Sequence, residues 1–178
     1  KEPESFKLFT KKGKGFILGE AAAAVILTKP RKTENHLCKV SLPVSTVLNG
    51  WNGEQMARFI KNQQFSNIDF ICCHGSGTQK NNLMEFQAVS KCFPSHTPVI
   101  SSTPAIGHTF GVSSFISLLT SLLCVKKGIL PPVANLKKEE ICYPLNIVTE
   151  KPVSAKIKKG LILCSGFGFT TSAMTVQE

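Results

Sequence analysis

The 178-residue chain is predicted to adopt an α/β layered fold built on a mixed sheet. Three observations lead there. Short, almost wholly apolar runs (FICC at 70–73, LILC at 161–164) have the length and composition of buried strands. Segments with helical apolar spacing lie between such runs, the strongest at 112–126. Hydrophobic residues make up 42% and charged residues 18%, enough to bury a sizeable core and too apolar for a disordered tail.

Residues 15–28 (GFILGEAAAAVILT) form a glycine-punctuated apolar run read as a buried strand or strand pair. Residues 37–48 alternate and are β-branched (VSLPVSTVL), a second strand with an edge or bulge at Pro43. Asn52 can cap a helix through about Gln64, with Met56, Phe59 and Ile60 on one face. A strand follows at 68–73, a helix at 82–92, a strand at 98–101 and a turn at 104–111. The helix at 112–126 would bury Phe115, Ile116, Leu118, Leu119, Leu122 and Leu123, and Gly128 stops it. Leu130-Pro131-Pro132 opens a long loop, and strands at 160–165 and 171–177 close the chain.

Composition removes several function classes. The longest apolar runs, such as 115–125, carry Ser and Thr and are short for a membrane span. A net charge of +10, from 21 basic and 11 acidic residues, favours an acidic partner. Nucleic acid fits poorly, because one Trp and one Tyr offer little aromatic interleaving. Seven cysteines without CxxC spacing, mostly in apolar runs, read as buried free thiols in a reducing cytoplasm, not as disulfides or a metal site. The one Asp, Asp69, lies in an apolar strand, and no GxSxG elbow or phosphate loop occurs.

Two segments place histidine beside glycine just after a predicted strand, His74-Gly75-Ser76-Gly77-Thr78 and Gly107-His108-Thr109-Phe110-Gly111. Strand ends are where α/β folds bind ligands, and glycine lets backbone approach a substrate closely. Two histidines there could converge on one carbonyl, as hydrogen-bond donors or as acid and base.

These segments resemble the C-terminal half of the β-ketoacyl-acyl-carrier-protein synthases, the thiolase-fold condensing enzymes of fatty-acid and polyketide synthesis. Residues 15–22 are similar to GFvlGEGA, and 73–78 with Glu85 to HGTGTplnDaaE. Residues 101–111 resemble SSTKsxxGHTlGA, 130–136 the LPPTiNLe loop and 165–168 part of SFGFGG. The resemblance implies that 1–178 is a thiolase-like C-terminal half, with 1–29 the strand region that closes the N-terminal half and 30–178 the C-terminal half proper. It implies that His74 and His108 bind the malonyl thioester carbonyl, promote decarboxylation and stabilise the enolate. Ser76 and Thr78 would hydrogen-bond the phosphopantetheine arm of acyl carrier protein. Phe167 or Phe169 would gate the acyl pocket, since the chain reads GFGFTTSA where the family reads FGFGGTNA. Glu85, Thr103, Gly107, Gly166 and Gly168 would support the site.

The departures are as informative. Thr103 replaces the family lysine that partners Glu85, Asn82 stands for Asp, Gly13 for Arg and Ala21 for Gly. The nucleophilic cysteine is expected outside this chain, which alone would be inactive. The implied partners are acyl carrier protein and an N-terminal half or synthase subunit, in a dimer, with no bound cofactor, metal, nucleic acid or membrane span. The alternative is a non-catalytic subunit resembling a chain-length factor.

Overall fold

The two apolar runs become the central parallel pair of the sheet, because strands buried on both faces need apolar side chains on both. The computed structural model describes residues 7–11, 13, 15–29 and 36–178. In chain order these are β1 (Lys39–Val40), β2 (Val44–Val47), α1 (Gly53–Asn62), β3 (Phe70–Cys72), α2 (Gln79–Cys92), β4 (Pro98–Ile100) and the one-turn α3 (Thr103–Ile106). Next come α4 (Ser113–Lys127), β5 (Ile129–Leu130), β6 (Asn146–Ile147), β7 (Val153–Ser154), β8 (Lys159–Ser165) and β9 (Thr170–Gln177).

A seven-stranded sheet runs β1-β9-β8-β3-β4-β6, with β2 also on β9. The strands β8, β3, β4 and β6 are parallel, and β9 is antiparallel to β8, β1 and β2, so the sheet is mixed as predicted. Alternation sorts the side chains into two cores. Ile71, Val99, Leu161 and Leu163 face α1 and α2, where Met56, Ile60, Met84 and Ala88 meet them. Phe70, Cys72, Ile100, Ile162 and Val176 face Leu118, Leu122 and Val125 of α4. The chain therefore forms three layers, with the loops after β3 and β4 at the same end of the sheet.

Local signals explain most boundaries. The Asn52 side chain accepts from the Gln55 N–H at 3.1 Å and caps α1. Gly128, at φ 64°, ends α4 in the left-handed region. The bulge expected at Pro43 is present: Val40 pairs with Val176 but Val44 with Ala173, so three residues oppose two.

Several expectations are corrected. Helix α2 starts at Gln79, three residues early, because Thr78 caps it and its polar first turn carries no apolar signal. The turn at 104–111 contains α3 and a 3-10 turn over Phe110–Val112. The short strands β5, β6 and β7 lie in regions read as loop. On α4, Phe115 and Leu123 are exposed, and the inner side is Ser113, Ser117, Leu118, Ser121, Leu122 and Val125. Small serines there let the helix approach the sheet closely. By length and composition alone the stretch Phe110–Lys127 could cross a membrane, contrary to the reading of its core as too short. Its serine-lined side packs on the sheet as a core helix does.

Residues 15–29 form no strand. They make one bridge, Leu18 with His108, and leave Ile26 93% and Leu27 74% exposed. The run is apolar enough for burial, but the described residues offer it no sheet edge to pair with.

Gly160 sits opposite Phe70 in the β3–β8 pair, and a Cβ there would run into the buried Phe70 ring. Gly160→Val is expected to destabilise the fold by about 1–3 kcal/mol through overpacking. Denaturant midpoints of the two proteins measure this.

Candidate functional site

His74 follows β3 and His108 follows β4, and parallel pairing of those strands brings the two loops side by side. The imidazoles meet with Nε2 to Nε2 at 3.2 Å, and each residue is 8% exposed. The Phe110 N–H donates to His108 Nδ1 at 3.1 Å, which leaves the proton of neutral His108 on Nε2, donated to His74 Nε2. Burial, with His108 nearby, lowers His74 to about 4. Burial lowers His108 as well. Both rings are therefore neutral at pH 7.

Close backbone packing sets His108. Gly107 adopts φ 81°, and a Cβ there would lie 2.8 Å from Gly19 Cα. Gly19 and Gly107 thus touch backbone to backbone, and Gly19 N–H donates to His108 C=O at 3.2 Å while His108 N–H donates to Ile17 C=O at 2.7 Å. Two glycines from separate motifs are needed because any side chain at either point would push the two segments apart.

His74 is set by a buried carboxylate. Glu85 on α2 accepts from the N–H groups of His74 at 2.7 Å and Gly75 at 3.1 Å, and from Asn81 Nδ2 at 2.7 Å. Thr103 Oγ1 donates to His74 C=O at 2.9 Å. Complete burial raises Glu85 to about 7, although its donors favour the charged form.

A cavity of about 630 Å³ opens beside the pair, lined by His74, Ser76, Thr78, His108, Phe167 and Phe169 among others. Ser76 and Thr78 share a hydrogen bond at 3.1 Å. Phe169 packs edge-on against Trp51 and its carbonyl accepts from Leu48 N–H. Phe167 is 86% exposed and stacks on Phe110. Gly166 is extended and Gly168 left-handed at φ 70°, so the turn between β8 and β9 presents both phenylalanines to the cavity. All the candidate residues read from sequence are thus near one another. Asp69 is not: it accepts from the N–H groups of Lys158 and Lys159 at the opposite end of β3. Among the described residues no group of three or more His, Cys, Asp or Glu could hold a metal ion.

Sequence reading missed Phe16, Trp51, Asn81, Phe110 and Cys164, all on the cavity wall. Asn81 precedes Glu85 by four residues on α2, a helical spacing that could have exposed the pair. Cys164 lies at the end of β8, and burial pushes its thiol up to about 12.

Residues 51–137 match the family model described as β-ketoacyl synthase, C-terminal domain. Streptomyces polyketide β-ketoacyl synthases are 25 to 29% identical over 90 to 99% of the chain, which spans 39 to 46% of their length. A Bacillus subtilis polyketide biosynthesis malonyl-ACP decarboxylase is 28% identical over 99% of this chain and 46% of its own. The ishigamide ketosynthase/chain length factor superposes with a TM-score of 0.81 at 20% identity, over 99% of this chain and 47% of that one. At that identity the likeness is one of fold.

Two buried groups oppose each other in acid. His74, lowered from 6.5 to about 4, adds stability above pH 6.5 that is lost as pH falls towards 4. Glu85, raised from 4.5 to about 7, adds stability below pH 4.5 that is lost as pH rises through 7. Between pH 4.5 and 6.5 the slopes cancel, each on the order of 1.4 kcal/mol per pH unit. Glu85→Gln is expected to expose the His74 slope, so its stability relative to wild type falls from pH 6.5 to 5. Unfolding at both pH values checks this, and parallel pH dependences would contradict it.

Proposed function

We propose that the chain, whose residues 51–137 match the β-ketoacyl synthase C-terminal domain model, supplies the decarboxylation and enolate site of a 3-oxoacyl-acyl-carrier-protein synthase acting in fatty-acid or polyketide synthesis. The paired histidines carry this reading: two neutral imidazoles, Nε2 to Nε2 at 3.2 Å, on the wall of a cavity of about 630 Å³. A thioester oxygen seated between the rings would accept from His108 Nε2, and from His74 Nε2 once that ring, released from the His108 hydrogen bond, carries its proton on Nε2. Such donors act most strongly on the charge that develops there in the transition state, in a site that excludes water.

The chemistry follows. In a malonyl thioester the bond between the α-carbon and the carboxylate breaks and carbon dioxide leaves. The electron pair forms the enolate, whose oxygen bears the charge facing His74 and His108. The α-carbon then attacks an acyl thioester, the new carbon–carbon bond forms and the thiolate leaves. Cysteine nucleophilicity needs accessible thiolate, and Cys164 on the cavity wall is held protonated. We place the acyl-bearing cysteine outside this chain, in an N-terminal half or partner subunit.

Ser76 and Thr78 are positioned to hydrogen-bond a phosphopantetheine arm. Phe167 suits a gate better than Phe169, since Phe169 is held by Trp51 and Leu48. The acidic partner matched to the +10 charge is acyl carrier protein. The basic clusters at 7–14 and 29–39 fall partly outside the described residues. The seven free cysteines suit a reducing compartment.

A second reading, a chain-length-factor-like subunit, is favoured by the protonated Cys164 and by the fold likeness to a ketosynthase/chain length factor. The malonyl-ACP decarboxylase among the relatives supports the catalytic reading, because it pairs this fold with decarboxylation.

Carbon dioxide release from malonyl-carrier by the full-length protein tests the choice. His108→Ala is expected to lower the rate about 10²-fold, the usual cost of losing one such donor. Equal release by both proteins would remove the assignment. Carrier affinity should fall steeply from low to moderate salt, because exposed charges are screened over about 8–10 Å. A flat titration would refute the electrostatic partner.

A further inference from the structure

We infer that Glu85 is a positioning residue for His74 whose grip depends on its ionisation, because the described residues around it offer hydrogen-bond donors and no cation. This rests on the reading that His74 serves a substrate carbonyl.

The geometry is a clamp on two successive peptides. Glu85 Oε1 accepts the His74 N–H, and Oε2 accepts both Gly75 N–H and Asn81 Nδ2. From the other side Thr103 Oγ1 donates to the His74 carbonyl. Gly75 stands at φ 58°, and a Cβ there would meet the Ser101 side chain, so the loop has little room to settle elsewhere. Glu85 is 0% exposed, and water cannot replace a lost partner.

Both carboxylate oxygens thus face N–H donors. A proton on Oε2 would compete with one of its two N–H donors, and a proton on Oε1 would leave a neutral carboxyl that accepts the same N–H groups more weakly. Ionised, Glu85 holds the His74 loop; protonated, it releases part of it.

The groups that face Glu85 leave it alone with this choice. They are the thiols of Cys72 on β3, of Cys73 just after it and of Cys164 on β8, each raised by burial and neutral at pH 7. Cys73 also hydrogen-bonds the carboxylate. The Thr103 hydroxyl is spent on the His74 carbonyl, and among the described residues no Lys or Arg contributes to the Glu85 balance. Burial places the Glu85 transition at about 7, well above that of His74 at about 4, so the two are separable by titration.

Amide chemical shifts of the full chain from pH 5.5 to 8.5 test the proposal without any substrate. The His74 and Gly75 amide protons should shift together with a midpoint near 7, in the direction of weaker hydrogen bonding as pH falls. The step should be absent in Glu85→Gln, and displaced to lower pH in Thr103→Lys, which sets a cation beside the carboxylate. Decarboxylation by the full-length protein should fall about tenfold from pH 8 to 6, following the ionised fraction of a group with pKa near 7, and the Thr103→Lys profile should be flatter. Amides that do not move, or that titrate identically in Glu85→Gln, overturn the positioning role even if the protein decarboxylates. Amides that titrate as described uphold it even if no carbon dioxide is released, in which case the catalytic reading alone fails.

Discussion

A carboxylate with no exposed surface organises one end of this molecule. Glu85 is buried at 0% exposure, and an ion in that position is tolerated only if its oxygens are hydrogen-bonded. Three N–H donors must therefore converge on it, and two belong to the backbone of His74 and Gly75. That requirement ties the loop after β3 to the first turns of α2. It also explains the left-handed Gly75, which turns two successive amides towards the same carboxyl group. Without this anchor, the His74 ring would hang from a glycine-rich loop with no fixed direction.

His108 is held by different means. Its loop is fixed by contact of the Gly19 and Gly107 backbones and by a two-bond bridge to residues 17–19. One histidine thus depends on electrostatic satisfaction and the other on steric closeness, and the parallel β3–β4 pair sets the distance between them. The arrangement also accounts for the corrected run at 15–29. Its first part stays on His108 through the bridge, while its later apolar residues project from the described chain. The outer side of α4, with Phe115 and Leu123 exposed, is a comparable apolar surface without a covering layer among the described residues.

The elements that were legible in the sequence are those whose signal is local. Buried strands at 70–72 and 159–165, the Asn52 cap and the Gly128 stop each depend on a few neighbouring side chains. The inner face of α4 was misread because hydropathy favours Phe115 and Leu123, while close packing on a sheet favours small serines. The three short strands β5, β6 and β7 were missed because two-residue pairings are specified by partners distant in sequence, not by their own composition.

The sequence by itself determined the layered mixed sheet and the two histidine-glycine segments, with a motif order that resembles the β-ketoacyl synthases. Those properties live in apolar periodicity and in residue types needed at single positions. Only the tertiary structure decided that the histidines meet at 3.2 Å, that His108 is the donor of the pair, and that Phe167 is the freer aromatic. It also decided that Glu85 finds two backbone amides and the Asn81 side-chain amide, with no cation among the described residues. Such facts depend on strand register and loop approach between residues tens of positions apart, and the relevant contacts are largely made by backbone atoms, which every residue shares and no sequence pattern distinguishes.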